Sequence, residues 1–277
     1  MMTEKKHVIV IGAGPAGSVA AALLQNKGHQ VTIIERDKFP RFSIGESLLP
    51  QCMAFIEQAG MLDAVQAAGF QLKTGAAFIH KDKHSEFVFS DKFTAGFDST
   101  FQVQRDKFDA LLADEAQRMG VEIRWQQQVV DADFSAEKPL LTIKGSDKTY
   151  QMEAEFVLDA SGFGRVLPRL LNLEKPSDFP CRQSLFTHIE DRIDCSRYDR
   201  NKIRIIVHPE QRDVWYWLIP FSNGRCSLGV VAESDFIQSQ GDDQEQVFRQ
   251  LVAQEPSLAV LLKNAVFDTR VNTIKGY

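Results

Sequence analysis

The chain has 277 residues, of which 44% are hydrophobic and 25% charged, and a formal net charge of −5 from 32 Lys plus Arg against 37 Asp plus Glu. These are ordinary globular values with room for one large α/β unit or two modest ones, and they exclude a disordered or low-complexity chain. The acidic balance argues against a nucleic-acid partner, and no apolar run approaches the ~20 residues of a membrane helix. The expectation is a cytoplasmic protein, since the apolar stretch from Val8 stops at Gly12, too short for a secretory signal.

In chain order, His7–Ile11 reads as a buried strand, Pro15–Asn26 as a helix stopped by Lys27-Gly28, and 31–34 as a second buried strand. Strand, helix, strand is a βαβ unit, which makes the two strands parallel. After a loop over 37–45, a helix from Ser47 is expected to turn Leu48, Leu49, Met53 and Phe55 inward. Strands follow over 75–80, 85–90 and 100–103, the first two joined by a polar turn over 81–84. Arg105–Arg118 is an amphipathic helix with Phe108, Leu111, Leu112 and Ala116 on one face. A strand over 121–125, a small antiparallel ribbon over 129–134, 140–144 and 149–152, and a buried strand over 156–160 come next.

Beyond Pro180 the pattern changes to strands over 184–189, 203–208, 214–220 and 226–232, with Ser222-Asn223-Gly224 as a hairpin turn, then helices over 244–254 and 258–263. The economical fold is an α/β nucleotide-binding domain with a parallel sheet over 1–75 and 101–180, and an antiparallel-sheet substrate domain over 76–100 and 181–277. Cys52, Cys181, Cys195 and Cys226 form no C-x-x-C pair, so neither a disulfide framework nor a zinc site is expected. His80 and His84 flank a hairpin turn and read as exposed loop residues, so no metal is expected.

Gly12-Ala13-Gly14-Pro15-Ala16-Gly17 follows a strand and opens a helix, and Glu35 stands eighteen residues past Gly17 at the end of the next strand. That is the full context of a dinucleotide site: Gly12 for the tight turn, Gly14 for approach to a pyrophosphate, Gly17 for helix–strand contact, Glu35 for ribose hydroxyls. The spacing alone leaves NAD and FAD open.

The segment Arg41-Phe-Ser-Ile-Gly-Glu-Ser-Leu-Leu-Pro50 resembles the loop and helix of flavin-dependent halogenases, within the wider group of FAD oxidoreductases that includes aromatic hydroxylases and geranylgeranyl reductases. The Arg105 helix resembles that group's R-x-x-F-D-x-x-L element, and Asp159-Ala-Ser-Gly162 resembles its second short cofactor motif. Trp215-Tyr-Trp217-Leu-Ile219-Pro220 resembles the halogenase signature W-x-W-x-I-P. On a strand Trp215, Trp217 and Ile219 share one face.

The resemblance implies FAD, held by Gly12, Gly14, Pro15, Ala16, Gly17, Glu35, Arg36, Arg41, Gly45, Ser47, Arg105, Val129, Asp159 and Gly162. It implies a wall of Trp215, Trp217, Ile219 and Pro220 between flavin and substrate, and catalytic roles for Lys73, in Phe70-Gln-Leu-Lys73-Thr-Gly-Ala-Ala-Phe78, and for Glu46. A buried lysine suits the chemistry, because desolvation lowers its pKa and the amine can either hydrogen-bond hypohalous acid or itself carry the halogen. The implied reaction uses reduced flavin, O2 and halide to halogenate an electron-rich arene; with no second G-x-G-x-x-G in the chain, the reduced flavin comes from a separate flavin reductase or from transient nicotinamide contact. The alternatives are a related FAD monooxygenase, a geranylgeranyl-reductase-like flavoprotein, or a non-catalytic interaction module. A further flavin- and halide-contacting motif of the family would lie beyond Tyr277, so the chain is expected to be truncated and to hold FAD weakly.

Overall fold

The computed structural model describes residues 4–194 and 198–276. Cys195 lies outside the described residues; Cys52, Cys181 and Cys226 are free thiols. The chain divides into two compact units, one of Met1–Gly45, Met53–Ala68 and Gln104–Ser177, the other of Glu46–Cys52, Gly69–Val103 and Asp178–Tyr277.

The first unit is built on a four-stranded parallel sheet in the order Phe156–Asp159, His7–Ile11, Gln30–Ile34 and Glu122–Arg124. Parallel central strands are covered on both faces, which is why Val8 to Ile11 read as an unbroken apolar run. The helix Pro15–Asn26 buries only Gly17, Ser18, Ala21 and Ala22, small residues that let it pack against Arg105–Arg118. A three-stranded antiparallel sheet of Thr149–Glu153, Leu140–Lys144 and Gln128–Asp133 closes a core of Ile9, Ile11, Ile34, Val129, Leu141 and Ile143.

The second unit carries a seven-stranded sheet in the order Asn272–Lys275, Arg182–Glu190, Arg225–Glu233, Trp215–Pro220, Lys202–Val207, Gly75–His80 and Lys83–Val88. One face, with Leu185, Ile206, Tyr216, Leu218, Leu228 and Val230, packs on Val247, Phe248 and Leu251 of the helix Gln244–Gln254. Tyr216 is wholly buried and donates its hydroxyl proton to Leu251 O at 2.9 Å. Gln71–Lys73 and Thr100–Gln102 form a separate antiparallel pair.

Several expectations change. The helix expected from Ser47 begins at Pro50 and runs to Gln58, burying Met53 and Ile56 while Leu49 and Phe55 stay exposed. Proline fits the first turn of a helix and keeps the residue before it extended, so Ser47 pairs with Gln102 instead. Glu46–Cys52 accordingly groups with the second unit rather than with the nucleotide-binding part. The large sheet is not wholly antiparallel, because Lys202–Val207 runs parallel to Gly75–His80. The hairpin after His80 is tighter than expected: Lys81 takes positive φ and Lys83 and His84 already belong to the next strand.

Gly17 carries the tightest contact of the first unit: an added Cβ would lie 1.9 Å from Gly12 O and 3.3 Å from Ala160 Cβ. Gly17→Ala should therefore push the helix off the sheet and lower stability by about 1–3 kcal/mol. Urea unfolding followed by circular dichroism measures this, and an unchanged midpoint would contradict the contact.

Candidate functional site

In the first unit the glycine turn is tied down by Glu35. Its buried carboxylate accepts the Ala13 N–H at 2.7 Å through Oε2 and the Asp37 N–H at 2.9 Å through Oε1. Each oxygen keeps a second lone pair for a ribose hydroxyl. Gly12 has φ +98, and an added Cβ would lie 2.8 Å from Ala160 O, so only glycine fits the turn. At Gly14 an added Cβ would meet only Arg41 Nη2, at 3.8 Å. The backbone there is open to a diphosphate, beside the first-turn N–H groups of Ala16 and Gly17 after Pro15, which face no preceding helical carbonyl. These residues fit the diphosphate and ribose of FAD.

Asp109 organises the positive side. It is fully buried, takes Arg105 Nε at 2.6 Å and Nη2 at 2.9 Å, and takes Arg41 Nη1 at 3.3 Å. Arg105 Nη1 also donates to Ile44 O, and Gly45, at φ +99, leaves room for that guanidinium. Asp109 is the acid of the R-x-x-F-D-x-x-L element, but sequence reasoning gave it no role, although its spacing four residues after Arg105 was a signal. Asp159 accepts the N–H groups of Ser161 and Leu167 and so braces the turn around Gly162, which has φ +57. Arg36 is exposed and pairs with Asp37. The Val129 side chain lies in the core, leaving only its backbone for a ligand.

In the second unit Lys73 is 3% exposed. Its ammonium donates to Leu48 O at 2.7 Å and stands 5.4 Å from the centre of the Phe89 ring. Burial lowers its pKa to about 8, against the smaller opposing influence of Cys52. Glu46 is also buried; its Oε1 is hydrogen-bonded to His188 Nε2 at 2.7 Å and its Oε2 has no protein partner. His188 carried no sequence signal, because the strand that holds it lies 142 positions from Glu46.

Trp215, Trp217 and Ile219 share the sheet face opposite Tyr216 and Leu218. The Trp217 indole N–H donates to Ser227 Oγ at 3.0 Å, and the ring lies flat over Gly229, where an added Cβ would come within 2.2 Å. Phe186 flanks it at 6.0 Å between centroids, and the Arg182 guanidinium lies 4.9 Å over Trp215. Pro220 ends the strand opposite Cys226. Among the described residues no group of three or more His, Cys, Asp or Glu could hold a metal, and no helix is long and apolar enough to cross a membrane.

The family described as an FAD binding domain matches residues 5–272. A tryptophan 2-halogenase of Chondromyces crocatus is 29% identical over 290 residues, covering 100% of this chain and 53% of its own length. Among solved structures, a flavoprotein/dehydrogenase from Cytophaga hutchinsonii superposes with a TM-score of 0.92 at 45% identity, over 98% of this chain and 66% of that one. CmlS, a flavin-dependent halogenase, superposes with a TM-score of 0.88 at 29% identity, over 99% of this chain and 50% of that one. The chain thus spans about half the length of the two halogenases.

Glu35→Ala should strip the partner from the buried Ala13 N–H and the acceptor from the ribose. FAD affinity, followed by flavin fluorescence quenching, should fall about tenfold or more, with a stability loss of about 1–3 kcal/mol. An unchanged titration would remove Glu35 from the site. The glycine turn, the Glu35 carboxylate and a match over nearly the whole chain agree, and the chain belongs to the FAD-binding-domain family of flavoproteins.

Proposed function

We propose that the chain is the cofactor-binding and lysine-bearing part of a flavin-dependent halogenase that acts on an electron-rich aromatic substrate. The observation that carries this reading is Lys73, a buried lysine whose pKa of about 8 leaves a usable share of free amine near neutral pH. FAD, when bound and reduced by a reductase partner, supplies with O2 the two-electron oxidation of halide to hypohalous acid.

The protein's own residues divide the remaining work. Arg41, Arg105 and the glycine turn would hold the diphosphate, with Asp109 fixing both guanidiniums. The indoles of Trp215 and Trp217 present a broad, half-buried apolar face. Glu46, steadied by His188, presents one unpaired carboxylate oxygen that can accept a proton. At Lys73 the free amine attacks the halogen of hypohalous acid: an N–halogen bond forms, the amine proton leaves with hydroxide as water, and the arene then takes the halogen and returns a proton to the nitrogen.

A second reading has its own support. The relative at 45% identity is described as a flavoprotein/dehydrogenase, which favours an FAD monooxygenase or reductase on the same scaffold.

The two separate on product. Protein supplied with FAD, a flavin reductase, bromide or chloride and a panel of phenols, pyrroles and indoles should give halogenated products, seen as isotope doublets by mass spectrometry. Lys73→Ala should abolish those products while reduced flavin is still consumed by O2 at close to the normal rate. Lys73→Arg should fail as well, since a guanidinium does not readily give up a proton. Halogenation surviving Lys73→Ala would favour the second reading.

A further inference from the structure

Five buried side-chain atoms among the described residues have no hydrogen-bonding partner. Three of them, Ser47 Oγ, Thr100 Oγ1 and Gln102 Oε1, sit on adjacent positions of one small sheet. In native proteins about nine in ten or more of such atoms are partnered by protein or by ordered water, so three together that find no protein partner mark a place where water or a ligand is held.

The register defines the place. Thr100 stands opposite Lys73 and Gln102 opposite Ser47, and Thr100 and Gln102 are two residues apart on one strand. All four side chains therefore share one face. The backbone of these strands is already spent, with Leu48 N–H on Phe101 O at 3.1 Å and Val103 N–H on Glu46 O at 2.7 Å. The Gln102 amide nitrogen is held by Arg200 O at 3.1 Å, which pins its carbonyl oxygen. Lys73 gives one proton to Leu48 O and keeps two.

The inventory is one positive charge, two ammonium protons, two hydroxyls that can each donate or accept, and one amide oxygen that only accepts. Such a set repels cations and matches a small anion. One charge and short hydroxyl arms suit a monovalent ion rather than a phosphate. We propose that Lys73, Ser47, Thr100 and Gln102 form a binding site for a halide-sized monovalent anion, separate from the glycine turn that takes the diphosphate. The anion accepts from the ammonium and both hydroxyls. It keeps one water, whose other proton goes to Gln102 Oε1.

That this anion is a halide drawn into catalysis rests on the proposed function; the site itself rests only on the donors and the charge. An ammonium holds the anion while only the free amine accepts a halogen atom, so the two uses of Lys73 exclude each other.

The probe is sodium bromide. Crystals grown without halide and soaked in bromide should show an anomalous peak within contact of Lys73 Nζ and Thr100 Oγ1. In solution, bromide broadening measured by 81Br NMR should saturate. Thr100→Val and Gln102→Glu should each weaken binding tenfold or more, the first by deleting a donor without changing shape, the second by placing a negative charge on the anion. Unchanged thermal melts would show that both variants fold. Water alone at the site, or bromide bound equally well by both folded variants, would overturn the proposal, as would an adventitious ion only, bound without saturation. Bromide at the site without halogenated product would count against the halogenase reading and leave this site standing. Halogenation without bromide bound here would do the reverse.

Discussion

Removing a charge from water costs several kcal/mol unless partners take over its solvation, and each unit carries two candidate site residues that are charged and buried almost completely: Glu35 and Asp109 in the first, Glu46 and Lys73 in the second. Each is solvated in its own way. Glu35 uses two backbone N–H groups. Asp109 uses two guanidiniums. Glu46 has a histidine on one oxygen and nothing from the protein on the other. Lys73 has one carbonyl and an aromatic ring. In the first two every carboxylate oxygen has a protein donor. The other two are under-partnered, which suits groups that meet ligands. The depressed pKa of Lys73 follows from the same shortage, since burial without an anionic partner favours the neutral amine.

Close backbone contact is the second constraint. Gly12 and Gly17 let the first helix start directly over the sheet, and no side chain at either position could be admitted without moving backbone. Gly229 plays the same part for the large sheet, where Trp217 occupies the volume a side chain would need. The indole is then oriented by its bond to Ser227 and by Phe186. One tryptophan face is thus set by a glycine and a serine on the neighbouring strand, at positions that carry no chemistry themselves.

The two sheets differ in how they divide their faces. The four-stranded parallel sheet buries its central strands from both sides, whereas the strand Trp215–Pro220 alternates between a helix-covered core and a partly open aromatic face. The alternation puts Tyr216 and Leu218 in the core and leaves Trp215 and Trp217 half-buried on the other face. The helix-covered core and the half-buried aromatic face therefore occupy opposite sides of one strand.

Much of this was legible in the sequence where the information is local. The βαβ unit with its glycines and Glu35, the helix Arg105–Arg118 and the shared face of Trp215 and Trp217 all follow from periodicities of a few residues. Three things were not legible. The segment after Gly45 looked helical because Leu48 and Leu49 are apolar, but Pro50 starts the helix and the preceding residues pair with Thr100–Gln102. The parallel pairing of Lys202–Val207 with Gly75–His80 joins strands separated by more than a hundred residues. His188, Asp109, Thr100 and Gln102 gained their meaning only from the partners that tertiary structure brings to them, or withholds. Local sequence sets the type of each element and the chemistry each side chain can offer. Which buried charges are satisfied and which are left to a ligand depends on contacts across long stretches of chain, and those exist only in the folded molecule.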